Sequence, residues 1–185
     1  IGRLARIARA DTAVITSVGE SHLEGLGDLD GIADEKASLL EYVRGYAVVH
    51  HDPRITSRVR LPLEKVVTFG LSEEADLRPA NLEDDPLRFE LRGVPIRLPL
   101  LGPWNALNAL AATAVAMLHG VPLGECARRL SDFRGPKMRM ERLELGGISI
   151  VNDAYNSNPV SARNAVDDVA RMSAPRKVLV FGDMR

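Results

Sequence analysis

A single cysteine, Cys126, excludes an internal disulfide and fits a reducing compartment. It falls in a helical pattern with no base beside it, so it reads as core filler. Aromatic residues make up only 4% of the chain against 45% for hydrophobic residues as a whole, so its core is built from Leu, Val, Ile and Ala. Charge of one sign is missing too. A formal net charge of −1 argues against a nucleic-acid surface or an anionic-membrane patch. No apolar run reaches the ~20 residues of a membrane span. Lysine is scarce: Lys36, Lys65, Lys137 and Lys177 stand among 24 lysines and arginines, which makes each one worth attention. There is no GxxxxGK[ST] phosphate loop, no internal repeat and no low-complexity tract.

The 185 residues suffice for one domain or parts of two. Their patterns alternate between strand and helix, which predicts an α/β fold. Thr12 to Val18 reads as a strand, Gly31 to Arg44 as a helix, and Tyr46 to His50 and Lys65 to Phe69 as further strands. Leu87 to Leu101 alternates apolar and polar residues about Gly93, the pattern of an antiparallel hairpin. Trp104 to His119 is a helix apolar almost all round, stopped by Gly120 with Pro122 beyond, and is expected to be buried. Leu123 to Leu130 gives another helix, and Arg134 to Met138 is the linker candidate. Two short strands around Gly146-Gly147 follow, then a helix opened by Pro159 with Asn158 as its cap. Lys177 to Phe181 reads as a buried strand. Ile1 opens inside a helix-like pattern and that last strand is followed by only a few residues, so the expectation is an internal segment of a longer protein.

Chemistry-bearing residues collect where strands end. Asp153 closes a strand at Asn152-Asp153, where open α/β sheets bind ligands, and is placed to accept hydrogen bonds from sugar hydroxyls or to serve only as a turn residue. Arg139, just before the preceding strand, offers a fork of donors suited to phosphate. His22 lies in the loop Gly19-Glu20-Ser21-His22-Leu23-Glu24-Gly25, as a metal or phosphate ligand or as a surface histidine. Lys36 falls on the apolar stripe of Ile32, Leu39, Leu40 and Val43. A buried ammonium lowers its pKa, finds an anion or is modified, for example to a carbamate suited to Mg²⁺; the alternative is that it snorkels to the helix edge. Asn105 and Asn108 share a face at the start of the apolar helix and carry the donor–acceptor pair that an adenine edge requires. Asn105 is equally a helix starter, whereas Asn108 inside an apolar helix needs a partner. His50, His51 and His119 lack partners at metal-ligand spacing.

Taken in order, GESHLEGLGDLDGIADEK (19 to 36), LLGPWNALNALAATAVA (100 to 116), KMRMERL (137 to 143), VNDAYNSNP (151 to 159) and VLVFGDM (178 to 184) resemble the Mur ligase family. The DAYNxNP and GDM sequences point to the branch that joins D-alanyl-D-alanine to UDP-N-acetylmuramoyl-tripeptide. The resemblance implies a P-loop-type ATPase domain with a mostly parallel sheet, its C-terminal part spanning residues 1–134, and the beginning of a Rossmann-like domain at 135–185. It implies ATP-driven amide formation through an acyl phosphate, in a monomer of the bacterial cytoplasm. By the same resemblance His22 and a carbamylated Lys36 hold Mg²⁺, Asn105 and Asn108 face the adenine, Arg139 reaches the ATP phosphates from the interdomain hinge, and Asp153 holds the ribose. Two departures stand out. Trp104 replaces the histidine of most relatives, and the family's P-loop and metal-binding glutamate fall upstream of Ile1, so this segment alone is expected to lack ligase activity. The alternatives are a sister amide ligase acting on folate, cyanophycin or another Mur substrate, and a non-catalytic nucleotide-binding module.

Overall fold

Ala47, Val48 and Val49 are consecutive and fully buried, the mark of a strand covered on both faces. The computed structural model describes residues 1–19, 28–157 and 159–182, and sets these three in the middle strand of a parallel sheet. Its strands β1 (Thr12–Ile15), β2 (Tyr46–His50) and β3 (Val66–Phe69) run in the order β1-β2-β3. Because side chains alternate along a strand, Ala13, Ile15, Ala47 and Val49 pack on one face with Ala33, Leu40 and Ile55. Val48 and Phe69 pack on the other with Leu107, Leu110 and Ala114.

Helices cover both faces. On one lie α1 (Gly2–Ala8), α2 (Leu29–Ala37) and the short α3 (Pro53–Thr56). On the other lies α4 (Trp104–Leu118), which buries Ala106, Leu107, Ala109, Leu110, Ala111, Thr113 and Ala114, with α5 (Leu123–Ser131) beside it. The continuous helix expected over 31–44 is a correction. After Ala37 the chain tightens into a 3₁₀ turn over Ser38–Tyr42, and Val43 is extended. The Ser38 hydroxyl donates to the Glu35 carbonyl at 2.7 Å, a local bond that competes with the α-helical ladder.

A second sheet, antiparallel, joins β4 (Ala80–Asp84), β5 (Leu87–Leu91) and β6 (Val94–Arg97). The expected hairpin about Gly93 is there, with Leu87, Phe89 and Leu91 facing the core and the residues between them exposed. β4 was not expected. Its sequence is polar, a register irregularity lies between Ala80 and Glu83, and Asn81 takes a left-handed φ of 52°, so no clean alternation announces it.

Residues 133–140, which include the linker candidate Arg134 to Met138, carry no helix or strand. An antiparallel hairpin follows, β7 (Glu141–Leu145) and β8 (Ile148–Asn152), turned by Gly146 and Gly147 at φ 57° and 80°. Helix α6 (Pro159–Arg171) comes next. Lys177–Phe181 is a second correction: it is exposed and forms no strand, because no described strand lies beside it to share a ladder. Among the described residues, charged groups join this second segment to the first, and Asp168 approaches Gly102 closely. Arg171 pairs with Asp168 and, at 3.2 Å, with Asp84, while Arg142 lies 3.6 Å from Asp85. Asp168 is buried against Gly102, just before α4.

Candidate functional site

Lys36 sits in the last turn of α2, which is capped by Asp28 accepting from Gly31 N at 2.8 Å. Its Nζ donates to the Ser17 carbonyl at 2.7 Å, just past the carboxyl end of β1. A cavity of about 190 Å³ lies there, lined by Ile1, Val14, Ile15, Thr16, Ser17, Lys36 and Leu39. Half-burial pushes the Lys36 amine below its ordinary pKa, which favours the free base that can add carbon dioxide. The stripe expected around it is only partly helical, since Leu39, Leu40 and Val43 lie beyond Ala37. A half-buried amine against an open cavity, bound to a main-chain oxygen, leaves room for a carbamate and a bound cation. His22 lies outside the described residues. Among the described residues no three His, Cys, Asp or Glu side chains gather as a metal-binding group.

Asn105 and Asn108 are brought together. Asn105 Nδ2 donates to the Leu101 carbonyl at 2.7 Å, and its Oδ1 accepts from Asn108 Nδ2 at 3.2 Å. Asn105 thereby tethers the start of α4 to the turn before it, where the cap residue Pro103 supplies no side-chain bond. Asn108, expected to need a partner, has one in Asn105, and it is exposed, on the open side of an otherwise apolar helix. Trp104, beside it, is also exposed. An exposed amide and an indole at one helix start can offer a base both hydrogen bonds and a stacking surface.

Arg139 and Asp153 are likewise neighbours, through residues the sequence did not flag. Asp153 Oδ1 accepts the Met140 N–H at 3.0 Å, and the Met138 carbonyl accepts the Tyr155 N–H at 3.1 Å. Met138 N in turn donates to Glu141 Oε2 at 2.9 Å. The Arg139 guanidinium carbon lies 4.2 Å from the centre of the Tyr155 ring. Met138 and Met140 hold φ values of 59° and 50°, a left-handed backbone costing about 1 kcal/mol each without glycine. The i, i+2 spacing of Asp153 and Tyr155 was the available signal for this arrangement. Its targets are main-chain atoms, which sequence does not display. Among the described residues, no hydrogen bond or ion pair joins the Lys36, Asn105–Asn108 and Arg139–Asp153 groups to one another.

A three-stranded parallel sheet with helices on both faces, followed by an antiparallel hairpin and a helix, defines an α/β protein. The model of the Mur ligase middle domain matches residues 1–116, and that of the Mur ligase glutamate ligase domain matches residues 138–185. The chain belongs to the Mur ligase family. The UDP-N-acetylmuramoyl-tripeptide–D-alanyl-D-alanine ligase of Bacillus subtilis (strain 168) is 31% identical over 100% of this chain and 42% of its own length. The UDP-N-acetylmuramate–L-alanine ligase of Maricaulis maris (strain MCS10) is 34% identical over 92% of the chain and 40% of its own. A crystal structure of MurF from Acinetobacter baumannii matches with a TM-score of 0.83 at 26% identity, covering 93% of this chain and 40% of that one. The chain thus spans about two fifths of the length of the curated relatives it matches. No helix among the described residues is long and apolar enough to cross a membrane.

Proposed function

We propose that the protein containing this chain is an ATP-dependent ligase that joins D-alanyl-D-alanine to UDP-N-acetylmuramoyl-tripeptide, a step in making peptidoglycan precursors. The observation that carries the reading is the match along the whole chain to the Bacillus ligase of that name, supported by the Acinetobacter MurF fold. In this reading residues 1–134 are the C-terminal part of the ATP-binding domain and 135–185 begin a Rossmann-like domain. The change from helix α5 to an irregular stretch over 133–140 supports that division. The protein works as a monomer in a bacterial cytoplasm.

The substrate carboxylate attacks the γ-phosphorus of ATP, ADP leaves, and an acyl phosphate forms. The dipeptide amine adds to that carbonyl, and the tetrahedral intermediate collapses with loss of phosphate and a proton. The protein's part is to position groups and stabilise charge. Arg139 meets the negative charge of the transferring phosphoryl group with its fork of donors. Asp153 accepts the ribose hydroxyls, and Asn105 with Asn108 holds the adenine edge. Lys36, as a carbamate, and His22 would hold Mg²⁺. The fit rests on a half-buried amine with lowered basicity beside a cavity of about 190 Å³. Bound there, the ion supplies charge neutralisation for the phosphates.

The test is phosphate release by the full-length protein with ATP, UDP-N-acetylmuramoyl-tripeptide and D-alanyl-D-alanine. Release should need all three, and release with UDP-N-acetylmuramate and L-alanine instead would overturn the assignment. That second reading has one observation in its favour, the 34% identity to the Maricaulis L-alanine ligase.

A further inference from the structure

We propose that Tyr155 is a positioning residue for Arg139, acting with Asp153 to fix where that guanidinium stands; the proposal rests on the reading of Arg139 as the phosphate-facing group. Contacts converge on three consecutive residues. The Met138 carbonyl takes the Tyr155 N–H at 3.1 Å, and the Met140 N–H goes to Asp153 Oδ1 at 3.0 Å. Between them the Arg139 guanidinium lies over the Tyr155 ring. The residues on either side of Arg139 take left-handed backbone at φ 59° and 50°, which residues other than glycine keep only when neighbouring groups fix them. The two main-chain bonds fix them, one on each side.

An exposed arginine otherwise samples many rotamers. Contact with a ring face uses the charge of the guanidinium rather than its in-plane N–H donors, so the fork stays available for phosphate oxygens. The ring thus orders Arg139 without competing for its ligand. The same turn links this arginine to the sugar. Asp153, proposed to take the ribose hydroxyls, already holds the Met140 N–H on one oxygen, so nucleotide and arginine loop share one side chain.

The experiment uses the full-length ligase and follows ATP-dependent phosphate release in Tyr155→Phe, Tyr155→Leu, Arg139→Ala and the Arg139→Ala/Tyr155→Leu double variant. Tyr155→Phe keeps the ring and should stay within about twofold of the parent. Tyr155→Leu should lower kcat roughly fivefold, the worth of one ring contact, and should add less than about twofold once Arg139 is already alanine. A full, additive loss in the Arg139→Ala background would overturn the positioning role while leaving the phosphate role of Arg139 intact. Parent-level turnover in Arg139→Ala would instead overturn the reading of Arg139, and the proposal with it. If Tyr155→Leu does not fold, the NMR spectrum of the unmodified protein decides. Arg139 δ-methylene protons displaced upfield by the ring support the proposal, and undisplaced ones overturn it.

Discussion

The two segments of this chain are held by different forces. In the first, β2 offers three consecutive residues with no exposed surface, and α4 lays seven buried residues against the sheet and its neighbours. In the second, Leu145 and Ile148 are each more than three fifths exposed, and the hairpin that carries them buries little. What fixes the second segment is polar: Asp153 on Met140, Tyr155 on Met138 and Arg139, Arg171 on Asp84 and Asp168. Burial is strong and indifferent to direction. Hydrogen bonds and ion pairs are weaker, roughly 1 kcal/mol apiece, but they set orientation. Among the described residues, the contacts that hold the turn around Arg139 and Asp153 are directional ones.

The largest effect should separate the two segments directly. Leu110→Ala, in the fully buried face of α4, should cost about 3 kcal/mol in urea unfolding, whereas Ile148→Ala on the hairpin should cost under about 0.5 kcal/mol. Similar losses at both sites would mean that the contrast is false. A smaller but still clear effect is expected where the segments touch. Gly102 has φ +83°, and a methyl carbon built there would overlap Asp168 Oδ2 and lie 3.0 Å from its Cγ. Gly102→Ala should therefore cost about 2 kcal/mol and loosen α6, seen as faster tryptic cleavage after Arg163 and Arg171. Unchanged cleavage would show that α6 is held without this approach.

The sequence disclosed most where one force dominates. The uninterrupted apolar run at Ala47–Val49 and the alternation of Leu87, Phe89 and Leu91 announce their strands because burial writes a period into the chain. The helix expected over 31–44 misses the change to a 3₁₀ turn at Ser38, which no break in its apolar pattern marks, and β4 escapes because its residues are polar and its register shifts. At the candidate site, residue type was legible and partnership was not. Lys36 stands out as a lysine among apolar residues, yet what it binds is the Ser17 main chain. Asn108 reads as needing a partner, but that the partner is Asn105, and that Asn108 lies on the side of α4 turned away from the core, is seen only in the structure. Arg139 and Asp153 were each marked by position, while the tie between them runs through two methionines in left-handed backbone, which no periodicity reveals.

The smallest effect tests whether charge holds the second segment or merely sits in it. Burial pushes the Asp168 carboxyl above its ordinary range, Arg171 opposes that, and Asp84 and Asp167 add to it. A carboxyl that ionises less readily in the folded protein than in the unfolded chain weakens folding as it ionises. The cost is absent below the unfolded value near 3.8, grows as pH rises through the folded value, and is complete above it. Asp168→Asn keeps the shape beside Gly102, removes the buried charge and leaves Arg171 its pairing with Asp84. The variant should thus be more stable near pH 7, by under about 1 kcal/mol, with the gain fading toward about pH 4. Thermal midpoints of both proteins across that range measure it. If Asp168→Asn is instead less stable near pH 7, the pair with Arg171 outweighs the cost of burial. The charges between the segments would then be a source of stability as well as of direction.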